Sequence, residues 1–119
     1  MTDLNADLAA KITQIKHEYL QRLKDEWLNE LLAFRAIPAA DWNGKILEKL
    51  LFHAHSVSGS GATFGYVLLS DHARELEELT RDLAKQSGKA SEQDHAVIMS
   101  LIDRLSATCH EALKDIPSF

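Results

Sequence analysis

Apolar residues recur along this chain at helical intervals, and very little interrupts them. Leu8, Ile12, Ile15 and Tyr19 step by four, three and four residues, and Leu20, Leu23, Trp27, Leu31 and Phe34 carry the stripe onward. Pro38 and Pro117 are the only prolines. The spacing predicts one long helix over about Leu4–Arg35, with a bend allowed, and a short connection at Ile37-Pro38-Ala39-Ala40. A second helix is expected to start near Asp41 as N-cap. It carries Ile46, Leu47, Leu50, Leu51, Ala54 and Val57, and it ends at Gly65. A third covers about Tyr66–Gln86, with Leu69, Ala73, Leu76, Leu79 (or Thr80) and Leu83 inward, and Ser87-Gly88 stops it. Ser91 with Asp94 resembles a capping box with a shortened acid. The fourth helix carries Val97, Ile98, Leu101, Leu105 and Ala112 and ends before Pro117. No segment alternates like a strand. The expected class is all-α: an antiparallel four-helix bundle with a long N-terminal helix, forming one domain over residues 1–119.

Composition removes several functions. The 13 basic and 18 acidic residues leave a net charge of −5, against the basic stripe of a nucleic-acid binder. No apolar run approaches the roughly 20 residues of a membrane span. The opening MTDLNADLAAKITQIK has neither the basic start nor the apolar middle of a signal peptide. A cytoplasmic chain that binds neither nucleic acid nor membrane is expected. The single Cys109 excludes an internal disulfide and a multi-cysteine zinc site, and it reads as a small packing residue.

The chemistry concentrates in HAHSVSGSGATFG, His53 to Gly65, which holds three of the 5 glycines. The glycines give G-x-G-x-x-x-G, which misses the dinucleotide fingerprint, and no G-K-S/T ending is present. Both nucleotide loops also follow a strand, whereas a helix precedes this one. His53 and His55 are two apart, so a helix turns them about 200° from each other and they cannot share an ion. His17, His72, His95 and His110 are scattered, and no Glu-x-x-His pair recurs. No metal site is expected.

One reactive imidazole remains. On a helical wheel Ile46, Leu47, Leu50, Leu51, Ala54, Val57 and Gly61 form the core face. His53 falls on its shoulder. His55 falls roughly 120° from its centre, toward solvent. Phe52 points nearly opposite the core. Gly59 sits one turn past His55, inside a helix, where glycine costs about 1 kcal/mol relative to alanine. It would clear space beside the imidazole for a bulky partner. Gly61 faces the core and allows close helix packing. His72 and Arg74 read as a solvated face, as do Glu75, Glu77 and Glu78, and Trp27 and Trp42 read as packing residues.

His55-Ser56-Val57-Ser58-Gly59, then five residues to Gly65, resembles the H-x-L-K-G-x-x-x-x-x-G signature of histidine-containing phosphotransfer (Hpt) domains. Ala62-Thr63-Phe64-Gly65-Tyr66, with Leu69-Ser70 and Ala73 to Glu77, is similar to the family's next helix. The resemblance implies a phosphorelay carrier. His55 would accept a phosphoryl group from a receiver-domain phospho-aspartate and pass it to another receiver aspartate. Ser58 and Gly59 would neighbour the phosphate. Phe52, Gly59 and Ala62 would form the docking face, and Gly61 and Gly65 would be structural. Ser58 stands where the family often has lysine, and it brings a hydrogen-bond donor without a charge. The implied partners are response-regulator receivers and a hybrid histidine kinase. Mg²⁺ is expected on the receiver and no cofactor on this chain. The implied state is a monomer, and nothing suggests an ATP-using kinase. The alternative from another class is a helical adaptor that binds receivers without carrying phosphate.

Overall fold

The computed structural model describes residues 3–86 and 91–116. Its elements are α1 (Asp3–Arg22), a π-helical turn (Leu23–Trp27), α2 (Leu28–Ala36), α3 (Gly44–Thr63), α4 (Val67–Gln86) and α5 (Glu92–Leu113), with a short 3-10 turn at Ala39–Asp41 between α2 and α3. The described residues contain no strand. The Leu28 N–H reaches back five residues to the Leu23 carbonyl, and Arg22 and Leu28 on either side keep right-handed helical dihedrals. α1 and α2 are therefore one rod through a π-turn, and with α3, α4 and α5 it makes an antiparallel four-helix bundle. The stops expected at Ser87-Gly88 and Pro117 lie outside the described residues, although α5 already ends at Leu113.

The N-cap of α3 is Asn43, not Asp41. The Asn43 side chain accepts the Ile46 N–H at 3.1 Å. Asp41 is occupied earlier, because Pro38 starts a tight turn in which the Asp41 N–H bonds the Pro38 carbonyl at 2.9 Å. Trp42 then buries its ring and donates its indole N–H to the Ile37 carbonyl at 3.1 Å. α3 ends in a Schellman closure. The Tyr66 N–H bonds the Gly61 carbonyl at 2.8 Å and the Gly65 N–H bonds that of Ala62 at 3.1 Å. Gly65 has φ +85°, the left-handed conformation this closure requires. The Ser91–Asp94 capping box that begins α5 is complete in both directions.

The core joins Leu20, Leu23 and Leu31 of the rod to Leu47, Leu50, Ala54 and Val57 of α3. Leu69, Ala73, Leu76 and Thr80 of α4 and Ile98, Ile102 and Leu105 of α5 complete it. Of the two alternatives on α4, Thr80 is the fully buried residue and Leu79 is half-buried. Val97, expected on the apolar stripe of the fourth helix, is exposed. The larger departure is at the N-terminus. Leu8, Ile12 and Ile15, expected to face inward, are exposed, and burial begins at Tyr19. The physical reason is length. The rod from Asp3 to Ala36 is about 50 Å long and α3 about 30 Å, so α1 outruns its neighbours. The radius of gyration, 16.6 Å, accordingly exceeds the roughly 13–14 Å of a compact chain this size.

Candidate functional site

α3 is held at both ends, and its hydroxyl-rich middle is tied internally. Ser56, Ser60 and Thr63 donate to the carbonyls of Phe52, Ser56 and Gly59 four residues earlier. The serine and threonine hydroxyls are satisfied within the helix.

The two histidines diverge as the wheel requires. His53 is 5% exposed and donates from Nε2 to the Trp27 carbonyl at 2.8 Å, pinning α3 to the π-turn of the rod. Its Nδ1 is buried with no hydrogen-bond partner. Burial pushes its pKa below the ordinary value, against the opposing pull of the Trp27 carbonyl and the Glu30 carboxylate. The His55 side chain is 69% exposed. It stands in a shallow depression with Glu48, Leu51, Phe52 and Arg81. Phe52 is 74% exposed, and Ala62 is exposed. A Cβ at Gly59 would meet nothing within 4 Å, whereas one at Gly61 would meet the Ser70 nitrogen at 3.3 Å and the Tyr66 carbonyl oxygen at 3.4 Å. Gly59 is open surface, and Gly61 is where α4 comes close.

Two expectations need correction. Glu77 does not belong to a solvated face with Glu75 and Glu78. It is 7% exposed, and its carboxylate accepts from Nδ1 of His55 at 3.0 Å and from Arg81 at 2.5 Å. Burial raises the Glu77 pKa, but the hydrogen bonds and charges of His55 and Arg81 outweigh it and hold the carboxyl below its ordinary value. A carboxylate only accepts, so Nδ1 of His55 carries the proton and Nε2 points its lone pair outward when the ring is neutral. Ser58, expected beside the phosphate, is instead buried in the seam between α3 and α4. Its carbonyl accepts the Ser70 hydroxyl at 2.7 Å. A cation beside the imidazole comes from α4, as Arg81, one turn beyond Glu77 and bonded to the same carboxylate oxygen.

The inward direction of Glu77 was legible in principle. Glu77 lies four residues after Ala73 and three before Thr80, both core positions, so a wheel drawn for α4 turns it toward α3 while Glu75 and Glu78 turn away. The other residues hold no part of this site. His72 donates from Nδ1 to Thr108 of α5 at 2.6 Å, because the Thr108 hydroxyl is itself given to the Arg104 carbonyl. Arg74 lies 3.7 Å from Asp71 on the surface. Cys109 is buried, and burial pushes its thiol up to about 12. Among the described residues no three His, Cys, Asp or Glu side chains converge as a metal site. No described helix is long and apolar enough to cross a membrane.

No curated protein and no solved structure gives a significant match to the chain. The family model for the Hpt domain matches residues 7–113, which takes in the rod, α3 with its exposed imidazole, α4 and α5. Hpt domains are helical bundles that carry phosphoryl groups on histidine in phosphorelays and interact with receiver domains and kinases, and this chain belongs to that family.

Proposed function

We propose that this chain is a phosphorelay carrier whose nucleophile is Nε2 of His55. One observation carries the reading: the exposed imidazole is fixed from behind by the buried Glu77 carboxylate, with open surface at Gly59 on its own helix. A receiver-domain phospho-aspartate is the donor. The Nε2 lone pair forms the N–P bond, the P–O bond to the aspartate breaks, and the aspartate leaves as a carboxylate. The ring becomes a phospho-imidazolium. Its new positive charge is shared with the Nδ1–H, which already faces Glu77. A second receiver aspartate takes the group by the reverse chemistry.

Phosphoryl transfer depends mainly on positioning and on neutralising phosphate charge. Ser58 is withdrawn into the seam, so the cation on this side is Arg81, which can swing from Glu77 to the phosphoryl oxygens. The receiver supplies the divalent ion. Phe52, at the rim of a groove lined by Ala33, Phe34, Ile37 and His53, is the apolar anchor of the docking face. An autophosphorylating, ATP-using role is not part of this reading.

Incubation with a labelled phospho-receiver tests the assignment. The wild-type chain and His53→Gln should take the label in acid-labile, base-stable form, and His55→Gln should not. Arg81→Ala should slow labelling. Label that survives His55→Gln and vanishes in His53→Gln would reassign the nucleophile. A chain that binds the receiver through Phe52 and takes no label would be an adaptor.

A further inference from the structure

α3 begins on a peptide that carries chemistry of its own. The chain has three asparagines, and only Asn43 is followed by glycine. Asn43 is exposed, and its backbone is extended at φ −141° and ψ −177°. Its side-chain oxygen accepts the Ile46 N–H at 3.1 Å. The Gly44 N–H stands at the first helical position, where no carbonyl of the helix takes it. A nitrogen without a helical partner thus follows an amide carbon whose oxygen is already polarised by an N–H donor. Gly44 has no Cβ to crowd their approach. The other asparagines lack these conditions. Asn29 lies inside α2 with glutamate after it, and its amide nitrogen donates to the Asp25 carbonyl at 2.8 Å. Asn5 lies inside α1 with Ala6 after it.

We propose that Asn43-Gly44 is a site of spontaneous deamidation in the folded chain. The Gly44 nitrogen gives its proton to solvent and bonds to Cγ of Asn43. Negative charge builds on Oδ1, where the Ile46 N–H and the N-terminal end of α3 stabilise it. The bond from Cγ to the side-chain nitrogen then breaks, and that nitrogen takes a proton from water and leaves as ammonia. A five-membered succinimide remains, and water opens it. Opening at Cγ gives aspartate at position 43. Opening at the backbone carbonyl gives isoaspartate, with the main chain rerouted through Cγ. The two products differ for the fold. Aspartate keeps an acceptor at the cap and adds the charge that a helix N-terminus favours. Isoaspartate lengthens the main chain by one carbon and carries the carboxylate away from the Ile46 N–H, so the cap is lost. Further along α3 the His53 bond to the Trp27 carbonyl pins the helix, so fraying of the first turn stops short of His55.

Incubation of the full chain at neutral pH, followed by peptide mapping with mass spectrometry, tests this. Position 43 should gain one mass unit and split into aspartyl and isoaspartyl forms, with Asn5 and Asn29 unchanged. The isoaspartyl form should accept a methyl group from an isoaspartyl methyltransferase used as probe. Gly44→Ala should slow the conversion several-fold with helicity intact. The separated isoaspartyl form should melt roughly 4 °C below the fresh chain, the cost of a lost cap. Asn43→Asp should not melt lower, and both should take label from a phospho-receiver as the fresh chain does. An Asn43 that stays intact in the folded chain and converts only in urea overturns the proposal, since the cap would then protect the amide. Conversion unaffected by Gly44→Ala, or equally fast at Asn29, overturns it too. An isoaspartyl form as stable as the fresh chain would refute the loss of the cap.

Discussion

Gly59 and Gly61 lie two residues apart on one helix, and the same substitution at each should move stability in opposite directions. Replacing a mid-helix glycine by alanine removes backbone freedom from the unfolded chain and gains about 1 kcal/mol where the methyl group has room. At Gly59 it has room, since nothing lies within 4 Å of the added Cβ. Gly59→Ala should therefore stabilise by about 1 kcal/mol, roughly 4 °C in Tm for a chain this size. At Gly61 the methyl would meet backbone atoms of the α3–α4 turn and α4, at 3.3 Å from the Ser70 nitrogen and 3.4 Å from the Tyr66 carbonyl oxygen. Backbone cannot turn aside as a side chain can, and overpacking of this kind costs about 1–3 kcal/mol. The net for Gly61→Ala is a loss of about 1 kcal/mol once the helix gain is set against that cost. Urea unfolding of the two variants, with unchanged m-values, should show midpoints on either side of wild type. Equal shifts, or a destabilised Gly59→Ala, would refute the distinction between an open and a packed glycine. The functional half is Gly59→Leu, which should slow transfer from a phospho-receiver without unfolding the bundle. Wild-type transfer would show that the clearing at Gly59 serves no partner.

Other outcomes follow from named contacts. Glu77→Ala should slow transfer about fivefold, roughly 1 kcal/mol, because a charge-assisted hydrogen bond is lost but the ring it holds is largely solvated. Glu77→Gln keeps an acceptor for Nδ1–H and should recover most of the rate, and full-rate transfer by the alanine variant would remove Glu77 from the mechanism. His53 holds its proton less tightly folded than unfolded, so the unfolded chain binds it first as pH falls. Its contribution is fully present above the unfolded pKa of about 6.5 and is lost as pH falls through the lower folded value. Denaturation midpoints should decline over that window in wild type and stay flatter in His53→Gln. Cys109, buried and with its thiol pushed up to about 12, should resist thiol reagents in the native chain and react once it is unfolded.

Much of this was legible in the sequence because helical spacing is a local property. The four helices, the burial of His53 against the exposure of His55, and the close packing at Gly61 all follow from the helical turn angle. What escaped depends on how one element meets another. The wheel of α4 turns Glu77 inward, but that His55 waits there for it depends on how α4 meets α3. Ser58 reads as a phosphate neighbour until the same seam covers it. Leu8, Ile12 and Ile15 carry a core-like stripe, but a stripe says only that a face wants covering, and the shorter neighbouring helices do not reach it. Asn43 displaced Asp41 as a cap because Pro38 had already committed Asp41 to a turn.

The mechanism rests on His55 as the nucleophile, with Glu77 selecting its Nε2. Nitrogen and phosphorus NMR of the chain after phosphorylation by a receiver tests it most directly. One phosphohistidine is expected, at residue 55, with phosphorus on Nε2 and the proton retained on Nδ1. Phosphorus on Nδ1, or on any other residue, would contradict it.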